Sequence, residues 1–362
     1  MPANQTSIAT LGEIGLIERI RALADVPVND PVLRDNLVIG ISDDAAVYRP
    51  TPGKVQLITT DALVEGVHFD LTFTSLKHLG WKAIVASLSD IAAMGGLPLF
   101  ATVTLALPQK ISVEMVEDFY EGARSACRKY SCLIVGGDTT ASMAAMMVSV
   151  AMTGEAAEER IVFRGGAKVG DLIGVTGHLG ASAAGLKVLQ REKQQYLNAS
   201  DPLSFQPNLE IYKDAIEKHL MPKPRLDISR MFAGQVQVHS GIDISDGLAS
   251  EVHRICRESK VGAKVYERNI PVKTVTEIVA KEFSENPTDY ALYGGEEYEL
   301  LFTLTDEEYK KLDRLTNDVS VVGRIVDKNE GIVLIGENGK AQALRFGGWD
   351  HFITGSSSAS RK

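Results

Sequence analysis

The chain has 362 residues, 44% of them hydrophobic and 23% charged, with a formal net charge of −9. That length suits two cores of ordinary size better than one. The acidic balance excludes a nucleic-acid binder, which needs a basic face. The apolar runs fall far short of a membrane span, and the start of the sequence lacks the basic-then-apolar pattern of a signal peptide.

In chain order, the polar stretch 1–7 reads as a frayed end, as does the serine-rich tail from Gly355. Residues 55–60 form a β-rich run. Small and apolar residues recur at helical spacing over 76–94, where Gly95, Gly96 and Pro98 stop them. A strand is expected at 99–107, ended by Pro108, then an amphipathic helix over 112–130 with Ser112 as N-cap. Strands follow at 133–135 and 146–153. The three cysteines, Cys127, Cys132 and Cys256, are odd in number and at no metal-ligand spacing, so they read as buried thiols in a reducing cytoplasm. A linker is expected at 155–166. Alternation then resumes with a strand at 172–175, a helix at 182–190, and a polar loop at 198–208. Helices are expected near 209–220 and 247–259, and strands at 298–304 and 319–326. Thr305 and Glu308 form a capping box for a further helix. The whole reads as two α/β halves of similar size.

Seven aspartates stand apart: Asp43, Asp44, Asp61, Asp90, Asp138, Asp243 and Asp246. Each lies in or beside an apolar or small-residue segment with no adjacent Lys or Arg. Any one alone reads as a helix cap or turn, Asp43 above all. As a set, carboxylates buried together without partners cost several kcal/mol each. Hard divalent cations relieve that cost, and Mg²⁺ takes one or two carboxylates per ion plus phosphate oxygens and water. The glycine pairs Gly136-Gly137 and Gly165-Gly166 allow backbone amides to approach phosphate oxygens, although most such pairs are turns. The familiar nucleotide motifs are missing. The nearest run to a phosphate-binding loop, Gly180 to Lys187, has Leu186 where lysine is required.

The motifs Ser42-Asp43-Asp44-Ala45-Ala46, the 59–69 run from Thr59 to Phe69, and the 87–96 run around Asp90 resemble those of the thiamine-monophosphate kinase family. So do Gly136-Gly137-Asp138-Thr139-Thr140, the 242–248 run, the 293–300 run and the 348–352 run, all in the family's order over nearly the whole chain. The resemblance implies the two-domain α/β (α+β) PurM-like fold of the aminoimidazole-ribonucleotide synthetase superfamily. It puts an N-terminal ATP- and Mg-binding domain at 1–157, a C-terminal domain at 158–352 and a tail at 353–362. A homodimer would form through the mixed sheet of the N-terminal halves.

By the same resemblance, Asp44, Thr60, Asp61, Asp90, Asp138 and Asp243 would hold Mg²⁺, with Thr59 and Asp246 contributing. Gly137, Asp138, Arg164 and Ser245 would bind ATP, and His68, Glu296 and Trp349 would meet thiamine monophosphate. Catalysis would rest on Asp44, Asp61, Asp90, Asp243 and Arg164. Glu297 is often Asp in relatives, and Trp349 is sometimes Tyr. The expected reaction is direct in-line transfer of the γ-phosphoryl group from ATP to the monophosphate. The acceptor is an already anionic phosphate oxygen and needs no general base. A selenophosphate synthetase would need an N-terminal reactive cysteine, and hydrogenase-maturation relatives use a C-terminal one; this sequence offers neither.

Overall fold

The structure is a computed structural model that describes residues 5–24, 30–41, 43–201 and 205–348. The expected tail and Trp349 lie outside these residues. Helix α1 (Ile8–Ala24) opens the chain and bends at Gly12, whose φ of 75° favours glycine. The residues just before it are pinned rather than frayed. The Thr6 amide donates to the Glu114 carboxylate at 2.9 Å, and Ser7 bridges Ser112. Helix α2 (Pro31–Asn36) leads into a small ribbon of β1 (Leu37–Ile39) and β2 (Val47–Tyr48).

The first sheet is built from β3 (Val55–Val64), with α3 (Leu76–Ala93) following it, then β4 (Leu97–Pro108), α4 (Val113–Tyr130), β5 (Leu133–Ser142) and β6 (Met147–Ala156). The strand order is β3-β6-β4-β5, antiparallel except for the parallel β4–β5 pair. Ser112 caps α4 as expected, its hydroxyl accepting from the Met115 amide at 3.3 Å. Strands β3 and β5 outrun the expected segments. Asp61 therefore lies within a strand, and Gly136, Gly137 and Asp138 are strand residues rather than a turn. A Cβ at Gly137 would lie 2.0 Å from the Val103 carbonyl oxygen, so β5 can approach β4 there only with glycine.

Helices α3 and α4 touch backbone to backbone. A Cβ at Gly80 would stand 1.9 Å from the Phe119 carbonyl oxygen, and one at Gly122 the same distance from that of Lys77. Gly80→Ala should therefore force the helices apart. The overpacking outweighs the gain in helix propensity, for a net loss of about 2 kcal/mol readable by urea denaturation.

The second sheet takes β7 (Leu172–Thr176), and after it come α5 (Ala181–Asn198), α6 (Lys213–Leu220) and α7 (Leu226–Gly234). Next are β8 (Ser240–Ile244), α8 (Leu248–Ser259), β9 (Gly262–Tyr266), α9 (Thr274–Glu282) and α10 (Pro287–Tyr293). The chain then runs through β10 (Glu299–Leu304), α11 (Asp306–Asp313), β11 (Val319–Val326), β12 (Ile332–Ile335) and β13 (Ala341–Ala343). The order is β13-β12-β9-β11-β7-β10-β8, with β9–β12 the parallel pair. Thr305 caps α11 by accepting from the Glu308 amide at 3.2 Å.

The two sheets are stitched together along the expected linker. The Val162 amide donates to the Met94 carbonyl at 3.0 Å, and the Gly241 amide to Phe163 at 2.9 Å. This holds edge strand β8 against α3. Nearly every residue of α3 is buried, because sheet, α4, α7 and β8 enclose it. A helix enclosed on all sides should be apolar all round, which makes its polar residues informative.

Candidate active site

Four polar residues on the inner turns of α3 each meet a named partner. Ser87 donates to the Asp61 carboxylate of β3 at 2.6 Å. Ser89 donates to Asp243 of β8 at 2.9 Å. Asp90 accepts from the Thr59 hydroxyl. Lys82, 2% exposed, donates to Glu296 at 2.7 Å. Alternation along β3 puts Thr59 and Asp61 on the face toward α3. Thr60 lies on the opposite face and is exposed.

Asp61, Asp90 and Asp243 thus come from three elements to one place, and each is costly as an anion. Burial, then the charge of Asp90, pushes the Asp61 carboxyl up to about 6. Burial also raises Asp90, opposed by the Thr59 hydrogen bond and the charge of Arg164. Asp243 is raised well above the carboxylate range by burial, with Asp90, Glu251 and Asp61 adding repulsion. Among the described residues, the hydroxyls of Ser87, Thr59 and Ser89 and the exposed Arg164 oppose these charges.

The buried Tyr298 borders the cluster. Burial, then the charges of Glu296, Asp61, Asp243 and Asp90, raises its pKa and keeps it protonated.

The other expected residues take different places. Asp44 and Asp138 are exposed, and their near side-chain bonds are local. Asp138 accepts from the Thr139 amide, and the Asp44 amide donates to Asp43. Asp246, with no basic neighbour in sequence, is gripped by Arg254 one helical segment away, beside Glu251. Ser245 lies in the turn after β8, its carbonyl accepting from the Glu296 amide at 2.7 Å. His68 is half-buried and closes the turn after β3, its Nδ1 accepting from the Val64 amide at 3.0 Å. Residues 242–248 and 293–300 are held together by the Glu296 amide's bond to Ser245 and by the Tyr298 amide, which donates to Ile244 at 2.9 Å.

Lys82, Ser87, Ser89, Tyr298 and His219 belong to this site and were not singled out from sequence. The signal for Lys82 was available: a lysine inside an otherwise apolar, small-residue helix is out of place unless it has a buried partner.

Hard oxygen donors in a shared, repulsive cluster fit Mg²⁺ better than a softer metal. Among the described residues no three His, Cys, Asp or Glu side chains close on one point as a ready-made cage. The donor set therefore fits ions held by one or two carboxylates and completed by water and phosphate.

Two sheets joined across a carboxylate-bearing buried helix define the chain as an AIR synthase related protein. The N-terminal domain of that family matches residues 42–156, and its C-terminal domain matches 168–336. A thiamine-monophosphate kinase of Aquifex aeolicus (strain VF5) is 35% identical over 94% of this chain and 98% of its own length. The crystal structure of thiamine-monophosphate kinase from Stenotrophomonas maltophilia K279a superposes with a TM-score of 0.75 at 30% identity, covering 90% of this chain and 96% of that one. AaThiL complexed with AMPPCP and TMP superposes with a TM-score of 0.72 at 32% identity, over 97% of this chain and all of that one. The chain belongs to the thiamine-monophosphate kinase family.

Proposed function

We propose that this chain transfers the γ-phosphoryl group of ATP directly to thiamine monophosphate, giving thiamine diphosphate, with no covalent enzyme intermediate. The observation that carries this reading is the convergence of Asp61, Asp90 and Asp243 on a buried helix, each oriented by a hydroxyl. The similar AaThiL, complexed with AMPPCP and TMP, supports the same pair of ligands. The last step of thiamine diphosphate formation is the corresponding role.

Asp61, Asp90 and Asp243, with Asp44, Asp138, Thr59 and Asp246 at the margins, would hold several Mg²⁺ ions; Thr60, its side chain on the outer face of β3, would join them only through its backbone. Bound there, Mg²⁺ supplies charge neutralisation between the triphosphate and the acceptor phosphate. The hydroxyls of Thr59, Ser87 and Ser89 fix the carboxylates before substrates arrive, so little reorganisation accompanies transfer. Gly137, in β5, would belong to the ATP site, and Arg164 brings an exposed positive charge beside Asp90. Ser245 presents backbone at the same edge. His68 and Glu296 flank the acceptor's path, and Trp349 would complete it. The acceptor oxygen is anionic at neutral pH, so the transfer needs no general base.

The division into 1–157 and 158–352 and a homodimer through the first sheet belong to the same proposal. Its support is the face of β3 and β4 turned away from α3 and α4, where Ile58 is 81% exposed beside exposed Thr60, Ala62 and Thr102. A cytoplasmic location belongs to the same proposal; no helix among the described residues is long and apolar enough to cross a membrane.

The test is ³¹P NMR of purified protein with ATP, Mg²⁺ and thiamine monophosphate. New diphosphate signals that need the acceptor and vanish with EDTA are expected. ATP left intact, or cleaved equally without acceptor, would sink the substrate assignment.

A further inference from the structure

Lys82 is among the largest fully buried side chains described, and a buried ammonium is expensive unless something fixes it there. Its partner, Glu296, lies 214 positions away in the loop before β10, and its side chain keeps 23% exposure. His219 of α6 approaches the same Glu296 oxygen at 3.4 Å and the Ser182 hydroxyl at 3.2 Å. Burial, then the charge of Lys82, holds His219 well below the ordinary imidazole value, so it stays neutral. Both groups sit behind one oxygen of the carboxylate, at 2% and 3% exposure.

The backbone is fixed with equal force. Glu296 and Tyr298 both hold left-handed φ values, 62° and 52°, which non-glycine residues adopt at a cost. Their amides are tied to Ser245 and Ile244, and the Glu297 side chain between them accepts from the Ser182 amide at 3.0 Å. Strain of this kind persists where the surroundings over-determine one conformation.

A carboxylate already neutralised by Lys82 is a poor counter-ion for a cationic ring. It remains a strong, oriented hydrogen-bond acceptor for a neutral N–H donor. Resting on the functional reading above, we infer that Lys82 and His219 are positioning residues that aim Glu296 at the exocyclic amino group of the acceptor's pyrimidine ring. Helix α3 sets the scale. Lys82 and Asp90 are eight residues apart, or about 12 Å along the axis. The acceptor's phosphate then lies at the aspartates and its aminopyrimidine at Glu296, with Tyr298 between.

The test compares thiamine monophosphate with oxythiamine monophosphate, in which that amino group is replaced by an oxo group. Calorimetric binding in the presence of AMPPCP and Mg²⁺, and kcat/KM, are read for both. Wild type should favour the amine at least about thirtyfold in both readouts, because a site built to accept an N–H rejects an analogue that presents oxygen. Glu296→Gln should bring the ratio to within about threefold. Lys82→Met should raise KM for thiamine monophosphate about tenfold with the KM for ATP unchanged, and should add nothing in the Glu296→Gln background. Wild type treating both acceptors alike would overturn the inference while turnover upheld the kinase reading. Selective binding without turnover would do the reverse. Binding of neither acceptor would overturn both.

Discussion

Asp90→Asn should lower kcat by at least about a thousandfold, roughly 4 kcal/mol of transition-state stabilisation, while making the metal-free protein more stable. The two effects have one cause. Asp90 repels Asp61 and Asp243, and its charge raises both of their pKa values. Asparagine keeps the shape and can still accept from the Thr59 hydroxyl, yet it removes the charge around which the site is organised. Relief of that repulsion raises stability, as expected where a fold carries strain for function.

Magnesium should reverse the order. Ligand that binds only the folded state stabilises it by mass action, so Mg²⁺ with ATP should raise the wild-type melting temperature more than that of Asp90→Asn. Thermal melts in EDTA and in Mg²⁺, together with steady-state kinetics, check both halves. A variant that keeps more than a tenth of wild-type kcat, or one that is less stable in EDTA, would show that Asp90 is a structural residue. Asp246→Asn is the informative contrast. Its charge is already matched by Arg254, so its loss should destabilise the metal-free protein.

Much of this site is written locally, and that part is legible. Asp90 sits in a helix whose apolar pattern stops at a glycine pair, and Asp61 follows a β-rich run, so both could be placed before any coordinates. The long-range part is not legible. Lys82 and Glu296 are paired across 214 positions, and Asp246 is gripped by Arg254 from the next helix. The fold shows the same split. Helix α4 was readable to its N-cap, because capping is chemistry between near neighbours. Strand β8 is buried on both faces and lacks alternation, so its pattern does not separate strand from helix. Strand β5 was cut short at Val135, since glycines usually end strands. Here Gly137 stays within one because the Val103 carbonyl leaves no room for a side chain.

Glu297→Gln should stabilise the protein by about 3 kcal/mol at pH 8 and leave it nearly unchanged at pH 5. Glu297 is fully buried at the start of α5. Burial pushes its carboxyl up to about 7 from an ordinary 4.5, against the opposing charge of Lys218. One carboxylate oxygen accepts from Ser182, and the other has no hydrogen-bond partner. A carboxyl whose pKa is higher when folded binds its proton more tightly in the folded state. Its contribution is therefore complete below about 4.5 and is lost as the pH rises through about 7.

Glu251, raised to about 7 by burial, and Asp61, raised to about 6, act in the same direction. Neutral His219 acts in the other, since its lowered pKa costs stability as the pH falls below 6.5. Stability of the metal-free protein should therefore rise as the pH falls from about 7 toward 4.5, with His219 taking one proton's share off that slope below 6.5. Glutamine resembles the protonated form of Glu297 and keeps the acceptor for Ser182, so the variant should lose one proton's share of that slope. Urea midpoints at pH 5 and pH 8 measure it. A gain of equal size at both pH values would mean that packing, not ionisation, is responsible. Because Glu297 lies outside the aspartate cluster, Mg²⁺ should suppress the slope due to Asp61 and Asp243 and leave the Glu297 share in place. The difference in slope between wild type and Glu297→Gln that survives saturating Mg²⁺ then reports the charge enforced on the strained segment between Glu296 and Tyr298.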